Sequence, residues 1–340
     1  MRSSSTDPLR ISRVVMILLV LSLSGVSYGQ LSDLHYLPPL KQEQGVTDQS
    51  IFFSSPVDTA FKIYLYKGSD SIAWDSVTIN DDPEEYSLSD GNNNITLVTE
   101  SNTGIVLSEA GLRIESAGGQ KFYVNYRANN NAQGSSLTSK GRASLGTRFR
   151  WAAGPVFSGE GTNATLGLMA TEDSTTVTLS DYDPSMGFRE GSNANSLDGG
   201  DNNEITISLN AGQSFVFESV TNGAPDGTEV DGWLGSLIVS DKDIAVSVGS
   251  FRYGSDPVQG GGQDIAMDQI IPENVLGKQY IFVRGNGGDV HEYGIIIATQ
   301  NNTEIFVAGD STNAPSIDAG EYYIVPASNY SGSSAGANLL

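Results

Sequence analysis

Short runs in which polar and apolar residues alternate fill this chain, and this pattern constrains the fold more than any other feature. Phe61, Ile63 and Leu65, for example, alternate with Lys62 and Tyr64. A period of two places successive side chains on opposite faces of a β-strand, so that one face meets a core and the other meets water. Amphipathic helical periodicity is almost absent. The sequence therefore predicts an all-β protein.

The strand pattern also recurs in a fixed order. Residues 168–179 read as an apolar strand, a polar turn and a returning β-branched strand, 296–307 are a later copy, and 52–63 are a weaker, earlier copy. The spacing between copies exceeds the roughly 40–50 residues of one propeller blade. We therefore expect repeated antiparallel sheet units. We favour a propeller-like arrangement of these units, with tandem β-sandwiches as the alternative.

The repeat and the amino-terminal composition divide the chain into segments. Arg2, Arg10 and Arg13 precede an apolar run, Val14 to Val26, that has the length of a secretory signal. Because the last unit would stop inside a strand and leave an unpaired edge, we expect it to be truncated and the parent protein to continue beyond Leu340. The predicted segments are a signal peptide (1–29), an extended arm (30–50), and β units at 51–144, 145–275 and 276–340.

Charge and cysteine content exclude several classes of function. The formal net charge is -22 and the chain has no cysteine. An acidic surface repels phosphate backbones, so we expect no nucleic-acid partner. Thiol catalysis and zinc–thiolate sites are excluded as well. No segment after the signal is apolar enough to span a bilayer, so we expect a secreted or cell-surface protein without membrane insertion after signal cleavage.

The two histidines are the first candidates for catalysis. His291 has Asp289 and Glu292 as sequence neighbours, but no nucleophile-elbow pattern accompanies them. We predict that His291 lies at a strand edge and that His35 docks the amino-terminal arm. No catalytic residue is predicted.

Acidic residues cluster in a turn around Pro83 and in a glycine-rich loop at 198–204. A glycosidase needs two carboxyl groups that face each other across a cleft, whereas the first cluster (Asp81, Asp82, Glu84 and Glu85) is typical of a solvated loop. Calcium prefers carboxylate, amide and backbone oxygens, which the second loop offers. If the chain binds calcium, we predict Asp198, Asp201 and Glu204 as ligands; the alternative is a plain turn. No other cofactor is predicted.

Aromatic residues are candidates for ligand contact. Trp74, Trp151 and Trp233 could stack on sugar rings or on a protein surface. Aromatic residues in strands more often belong to a core, which is the alternative for all three.

Several separate segments resemble a known family. Residues 31–40, 136–142, 169–173 and 239–243 are similar to large secreted proteins of gliding-type Bacteroidetes, which contain a region like the amino-terminal domain of IgGFc-binding protein. The likeness spans 31–340. It implies an extracellular surface protein, commonly followed by further repeats and a sorting signal for type IX secretion. No motif here matches a defined antibody contact.

Together these observations predict a non-catalytic extracellular surface or matrix module that acts in adhesion or ligand binding. We expect it to be the amino-terminal part of a larger secreted protein, with an unidentified extracellular protein or glycan as its partner. The alternatives are an exported hydrolase that acts on polysaccharide and a structural spacer without a ligand.

Overall fold

The computed structural model describes most of the chain after the predicted signal peptide. The described residues are 29–42, 45–80, 82–130, 133–153, 164–184, 186–197, 203–220, 232, 234–254, 263–289, 291–312, 314–332, 336 and 338–339. Here the backbone is strand and turn, with short 3-10 turns at Glu100–Asn102, Gly141–Ser144, Glu273–Val275 and Ala327–Asn329. These residues include no helix with the length and hydropathy of a membrane span. The all-β prediction is confirmed, while residues 1–28 of the predicted signal peptide lie outside the described part.

The first part of the chain forms two antiparallel sheets that enclose one core. Their strand orders are β1-β9-β4-β5 and β11-β10-β3-β6. Ile63 and Leu65 of the first sheet and Ile51 and Phe53 of the second are fully buried in the same cluster. This is a β-sandwich, as the alternating pattern requires. The strands are β1 (Leu34–Leu37), β2 (Leu40–Lys41), β3 (Asp48–Ser54), β4 (Phe61–Lys67), β5 (Asp75–Ile79), β6 (Glu84–Ser87), β7 (Leu97–Val98), β8 (Val106–Leu107), β9 (Leu112–Ser116), β10 (Tyr123–Asn129) and β11 (Gly134–Thr138).

The second part repeats this strand arrangement around one long strand, with all its main strands and β8 in one eight-stranded sheet. The strands are β12 (Gly146–Arg150), β13 (Thr165–Ala170), β14 (Thr175–Ser180), β15 (Phe188–Glu190), β16 (Asn193–Leu197), β17 (Ile205–Leu209), β18 (Ser214–Glu218), β19 (Leu237–Gly254) and β20 (Gln263–Ile270). The beginning of β19 pairs with β12 and β14, whereas the part after Asp243 pairs with β13 and β20. β19 therefore makes, as one strand, the pairings that two separate strands, β9 and β10, make in the first sandwich.

The strands of residues 276–340 repeat three of the strand pairings of the second unit. They are β21 (Phe282–Val283), β22 (Gly294–Ile297), β23 (Thr303–Glu304), β24 (Ser316–Ile317), β25 (Tyr322–Val325) and β26 (Asn338–Leu339). β21 pairs with β26, β22 with β25 and β23 with β24, as β12 does with β19, β13 with β18 and β14 with β17. The strand order thus recurs as tandem sandwich-like units and does not confirm the propeller-like arrangement.

The described part of the predicted arm at 30–50 contributes β1, β2 and the first residues of β3. β1 pairs with β9 along its full length, from Leu34 opposite Glu115 to Leu37 opposite Leu112. This strand is an integral edge of the first sandwich. The remaining segment boundaries stay predictions.

Close backbone contact joins the first and second sandwiches. A Cβ on Gly167 would lie 2.0 Å from the carbonyl oxygen of Pro39, so only glycine fits there. Met169 and Tyr36 share a small buried cluster beside this contact. One outer face of the second sandwich, formed by β13 and β18, is therefore covered by the first.

The third unit contacts the second through the corresponding face. Ile295, Ile297 and Tyr322, from β22 and β25, pack against the core cluster of the second sandwich. Gly235 and Gly320 also meet so closely that a Cβ on Gly235 would lie 1.7 Å from the Gly320 carbonyl oxygen. The same sheet face is thus used twice for contact with the preceding unit.

Candidate functional site

The corresponding face of the first sandwich is exposed in the part of the chain that the structure describes. This face belongs to β6, β3, β10 and β11, and it holds a concave depression of about 440 Å3. That volume lies within the roughly 300–1,000 Å3 of small-molecule pockets. The side chains that define its chemistry are Asp48, Ser50, Phe52, Glu85, Arg127 and Asn129.

Strand alternation explains why these side chains point outward. Ile51 and Phe53 of β3 are buried in the core. Ser50 and Phe52 alternate with them along the strand, so their side chains lie on the other face of β3. Glu85 of β6 lies directly opposite Phe52. The sequence alignment that equates Phe52 with Leu168 is wrong by one residue, because Leu168 lies in the core of the second sandwich.

Phe52 and Arg127 form the floor of the depression. The guanidinium carbon of Arg127 lies 4.4 Å from the ring centroid of Phe52, which is a cation–π contact. Arg127 Nε donates a hydrogen bond to Asn125 Oδ1 at 3.0 Å. One face of the aromatic ring is thus covered by a fixed cation.

Two carboxylates flank this pair. Ser50 Oγ donates to Glu85 Oε1 at 2.6 Å, and Asn129 Nδ2 donates to Asp48 Oδ2 at 2.9 Å. Both carboxylates are exposed, so neither has the desolvated surroundings that a catalytic general acid needs. The arrangement offers hydrogen-bond acceptors, amide and guanidinium donors and an apolar ring, which is the composition of a binding surface.

The matching face of the second sandwich has different chemistry. There β13 and β18 present Gly167, Met169 and Val216, and Val216 is buried with Val98 and Ala110 of the first sandwich. These small and apolar residues pack closely against the first sandwich, together with the buried Glu218, which pairs with Lys41. The polar, concave face of the first sandwich suits a hydrophilic ligand instead.

A comparison with known families assigns the chain. The family model described as IgGFc binding protein matches residues 134–336. The chain belongs to the IgGFc-binding protein family. No curated protein and no solved structure matches it. The family description names a binding protein, and membership supports a binding module rather than an enzyme.

The match to the IgGFc-binding family begins at the edge of the depression. Gly134, Ser135 and Ser136 on β11 line the depression and lie within the matched residues, whereas the rest of its lining precedes them. Most of the lining of the depression therefore lies in the first sandwich, before the residues that the family model matches.

His35 is buried in a structural role. Its Nδ1 lies 3.0 Å from Ser139 Oγ, and its Nε2 lies 3.0 Å from the carbonyl oxygen of Phe122 and 3.3 Å from that of Ser32. Because carbonyl oxygens only accept, Nε2 carries a proton. Burial lowers the pKa of His35 to about 4. The predicted docking of the arm by His35 is confirmed.

His291 is exposed in a turn before β22, and its acidic neighbours have other partners. Asp289 Oδ1 accepts from an Arg284 terminal nitrogen at 2.6 Å. Glu292 accepts backbone N–H groups of Gly285 and Gly287, and these bonds lower the pKa of Glu292. Both carboxylates therefore stabilise the glycine-containing loop that precedes His291.

The predicted calcium loop falls largely outside the described residues. Asp198 and Asp201 are not described, and Glu204 is exposed just before β17. In the described part of the chain, no three potential metal-binding side chains (His, Cys, Asp or Glu) come together. The calcium site stays a prediction.

The three tryptophans lie in different surroundings. Trp151 is buried in the second core, Trp74 is 38% exposed with Lys67 over its ring, and Trp233 lies outside the described residues.

Of the acidic turn, Asp81 is not described, Glu84 accepts a hydrogen bond from Asn80, and Glu85 lines the depression. Sequence reasoning missed Phe52 and Arg127, whose only signal was their outward position on alternating strands.

Proposed function

We propose that this chain is a non-catalytic extracellular binding module, and that its contact surface is the outer face of the β6-β3-β10-β11 sheet. The observation that carries the proposal is the contrast between equivalent faces. In the two later units this face packs against the preceding unit, whereas in the first unit it is polar, concave and open. Family membership supports binding as the activity.

Secretion to the cell surface is part of the same proposal. The arginine-flanked apolar run at the amino terminus supports export, and the absence of cysteine is compatible with domains held together by packing. The resemblance to large surface proteins supports a role in adhesion, with an extracellular protein or glycan as partner. Under this proposal, the strands hold the contact face rigid.

The test is binding of the full chain to an immobilised panel of neutral glycans, sialylated and sulfated glycans, and immunoglobulin Fc. We expect retained binding to at least one class, and at least a tenfold loss in the Phe52→Ala/Arg127→Ala double variant. Trp74→Ala is the matched control, because Trp74 is another partly exposed aromatic with a cation over its ring. Equal binding by the double variant, or no retained ligand at all, would contradict the proposal.

The same samples test the hydrolase alternative. Incubation with pooled polysaccharides and chromogenic glycosides is expected to release no product. Turnover that disappears in Asp48→Asn or Glu85→Gln would instead assign catalysis to this face.

A further inference from the structure

We infer that the depression on the first sandwich takes an uncharged saccharide, an inference that rests on the proposed binding function of this face.

An anionic ligand is disfavoured by the nearby and the distant charges. Asp48 and Glu85 are two carboxylates in the lining, against one guanidinium from Arg127. That guanidinium already contacts the Phe52 ring and Asn125. The net charge of -22 adds long-range repulsion of sulfated, sialylated and phosphorylated ligands.

A cationic ligand is disfavoured by the position of Arg127. The natural place for a ligand cation is over the face of Phe52, and the Arg127 guanidinium occupies that place at 4.4 Å. A second cation there would meet a like charge. An uncharged polar ligand avoids both penalties.

The remaining groups match the chemistry of a pyranose ring. A sugar presents carbon-bound hydrogens on one face, which pack on aromatic or guanidinium planes, and hydroxyl groups around its rim, which donate and accept. The Arg127 guanidinium, seated on the Phe52 ring, supplies such a plane. Glu85 and Asp48 accept hydroxyl protons, and Ser136 on the exposed side of β11 can both donate and accept. The depression of about 440 Å3 has room for one or two sugar units.

The test is a neutral-glycan array followed by titration calorimetry of the full chain with the strongest uncharged oligosaccharide. We expect Phe52→Ala to weaken binding at least tenfold and Phe52→Tyr to keep it within about threefold. Glu85→Ala should weaken binding more than Glu85→Gln, which keeps an acceptor for Ser50. Circular dichroism and thermal melts verify that each variant is folded.

The charge of the bound ligand and the salt dependence of its affinity distinguish a failure of this inference from a failure of the proposed function. Affinity for an uncharged sugar should change less than twofold between low and high salt, because no ion pair is screened. Binding of only charged glycans or immunoglobulin Fc through Phe52 would overturn the saccharide assignment and leave the binding face intact. Neutral-glycan binding that survives Phe52→Ala but is lost in Trp74→Ala would overturn both. Concentration-dependent dimerisation abolished by Phe52→Ala would show instead that a second copy occupies the face.

Discussion

The ammonium group of Lys41 lies 3.1 Å from the carboxylate of Glu218, and both side chains are buried where the first and second sandwiches meet. Glu218 also accepts from Arg189 Nε at 3.0 Å and from Thr103 Oγ1 at 3.0 Å. One carboxylate with three partners thus joins segments that are distant in sequence. A buried charge is tolerated only when it is compensated in this way.

The first prediction concerns this carboxylate. Glu218→Ala removes the buried carboxylate that pairs with Lys41 and Arg189 and should lower the free energy of unfolding by about 3–5 kcal/mol. The control is Glu115→Ala, which removes a partly exposed partner of Arg113 and should cost less than about 1 kcal/mol. Urea denaturation measures both. Similar losses of unfolding free energy in the two variants would show that the buried ion pair contributes little to stability.

The second prediction is a pH dependence of stability. The folded-state pKa of His35 is about 4, below its ordinary value of 6.5. Between these values the unfolded chain binds the proton more readily. The contribution of His35 is therefore fully present above pH 6.5 and is lost as the pH falls towards 4, by about 3 kcal/mol in total.

Denaturation of the wild type and of His35→Asn at pH 7 and pH 4.5 tests this dependence. The variant should lose less stability on acidification, whereas His291→Asn, which changes an exposed histidine, should behave like the wild type. If His35→Asn does not fold, NMR titration of the wild type provides the test. A His35 imidazole that protonates near pH 6.5 in the folded protein would refute the prediction.

The third prediction tests the contact between the second and third units. Gly235 has φ +82°, and a Cβ there would lie 1.7 Å from the Gly320 carbonyl oxygen, whereas Gly119 has φ +74° and open space around it. Gly119→Ala should cost about 1–2 kcal/mol from its backbone conformation alone. Gly235→Ala should cost more and should make residues 276–340 easier to cleave in limited proteolysis. Equal proteolysis of the two variants would argue against this contact.

The fourth prediction concerns a buried amide. Gln49 Oε1 accepts from the Tyr126 hydroxyl at 2.7 Å and from Thr96 Oγ1 at 3.0 Å. Gln49→Leu leaves these donors without that acceptor and should cost about 1–3 kcal/mol. Adding Tyr126→Phe removes one stranded donor, so the double variant should be more stable than Gln49→Leu. A less stable double variant in urea denaturation would contradict this reasoning.

The core could be predicted from the sequence because alternation reports which side of a strand meets water. Ile63 and Leu65 were placed correctly by that rule, and the recurring strand order indicated repeated sheets. The binding face could not be predicted in the same way. Phe52, Glu85 and Arg127 are far apart in sequence and meet only through strand register, and a one-residue error in aligning Phe52 moves it from surface to core.

Glu218 shows a second limit of sequence reasoning. It lies at the end of β18, all of whose residues are buried, so the alternating rule would have placed it towards water. Its burial follows from packing between two sandwiches, and its partner Lys41 is distant in sequence. A local pattern contains no information about such a contact.

The unbroken course of β19 has a consequence for how the second sandwich comes apart. Since β12, β13, β14 and β20 all pair with this strand within one eight-stranded sheet, loss of β19 removes a hydrogen-bonding partner from both halves, and both should melt in a single transition. In the first sandwich β9 and β10 are separate, with residues 117–122 between them, so its sheets are free to open one before the other. Hydrogen exchange should therefore find the slowest amides near the middle of β19.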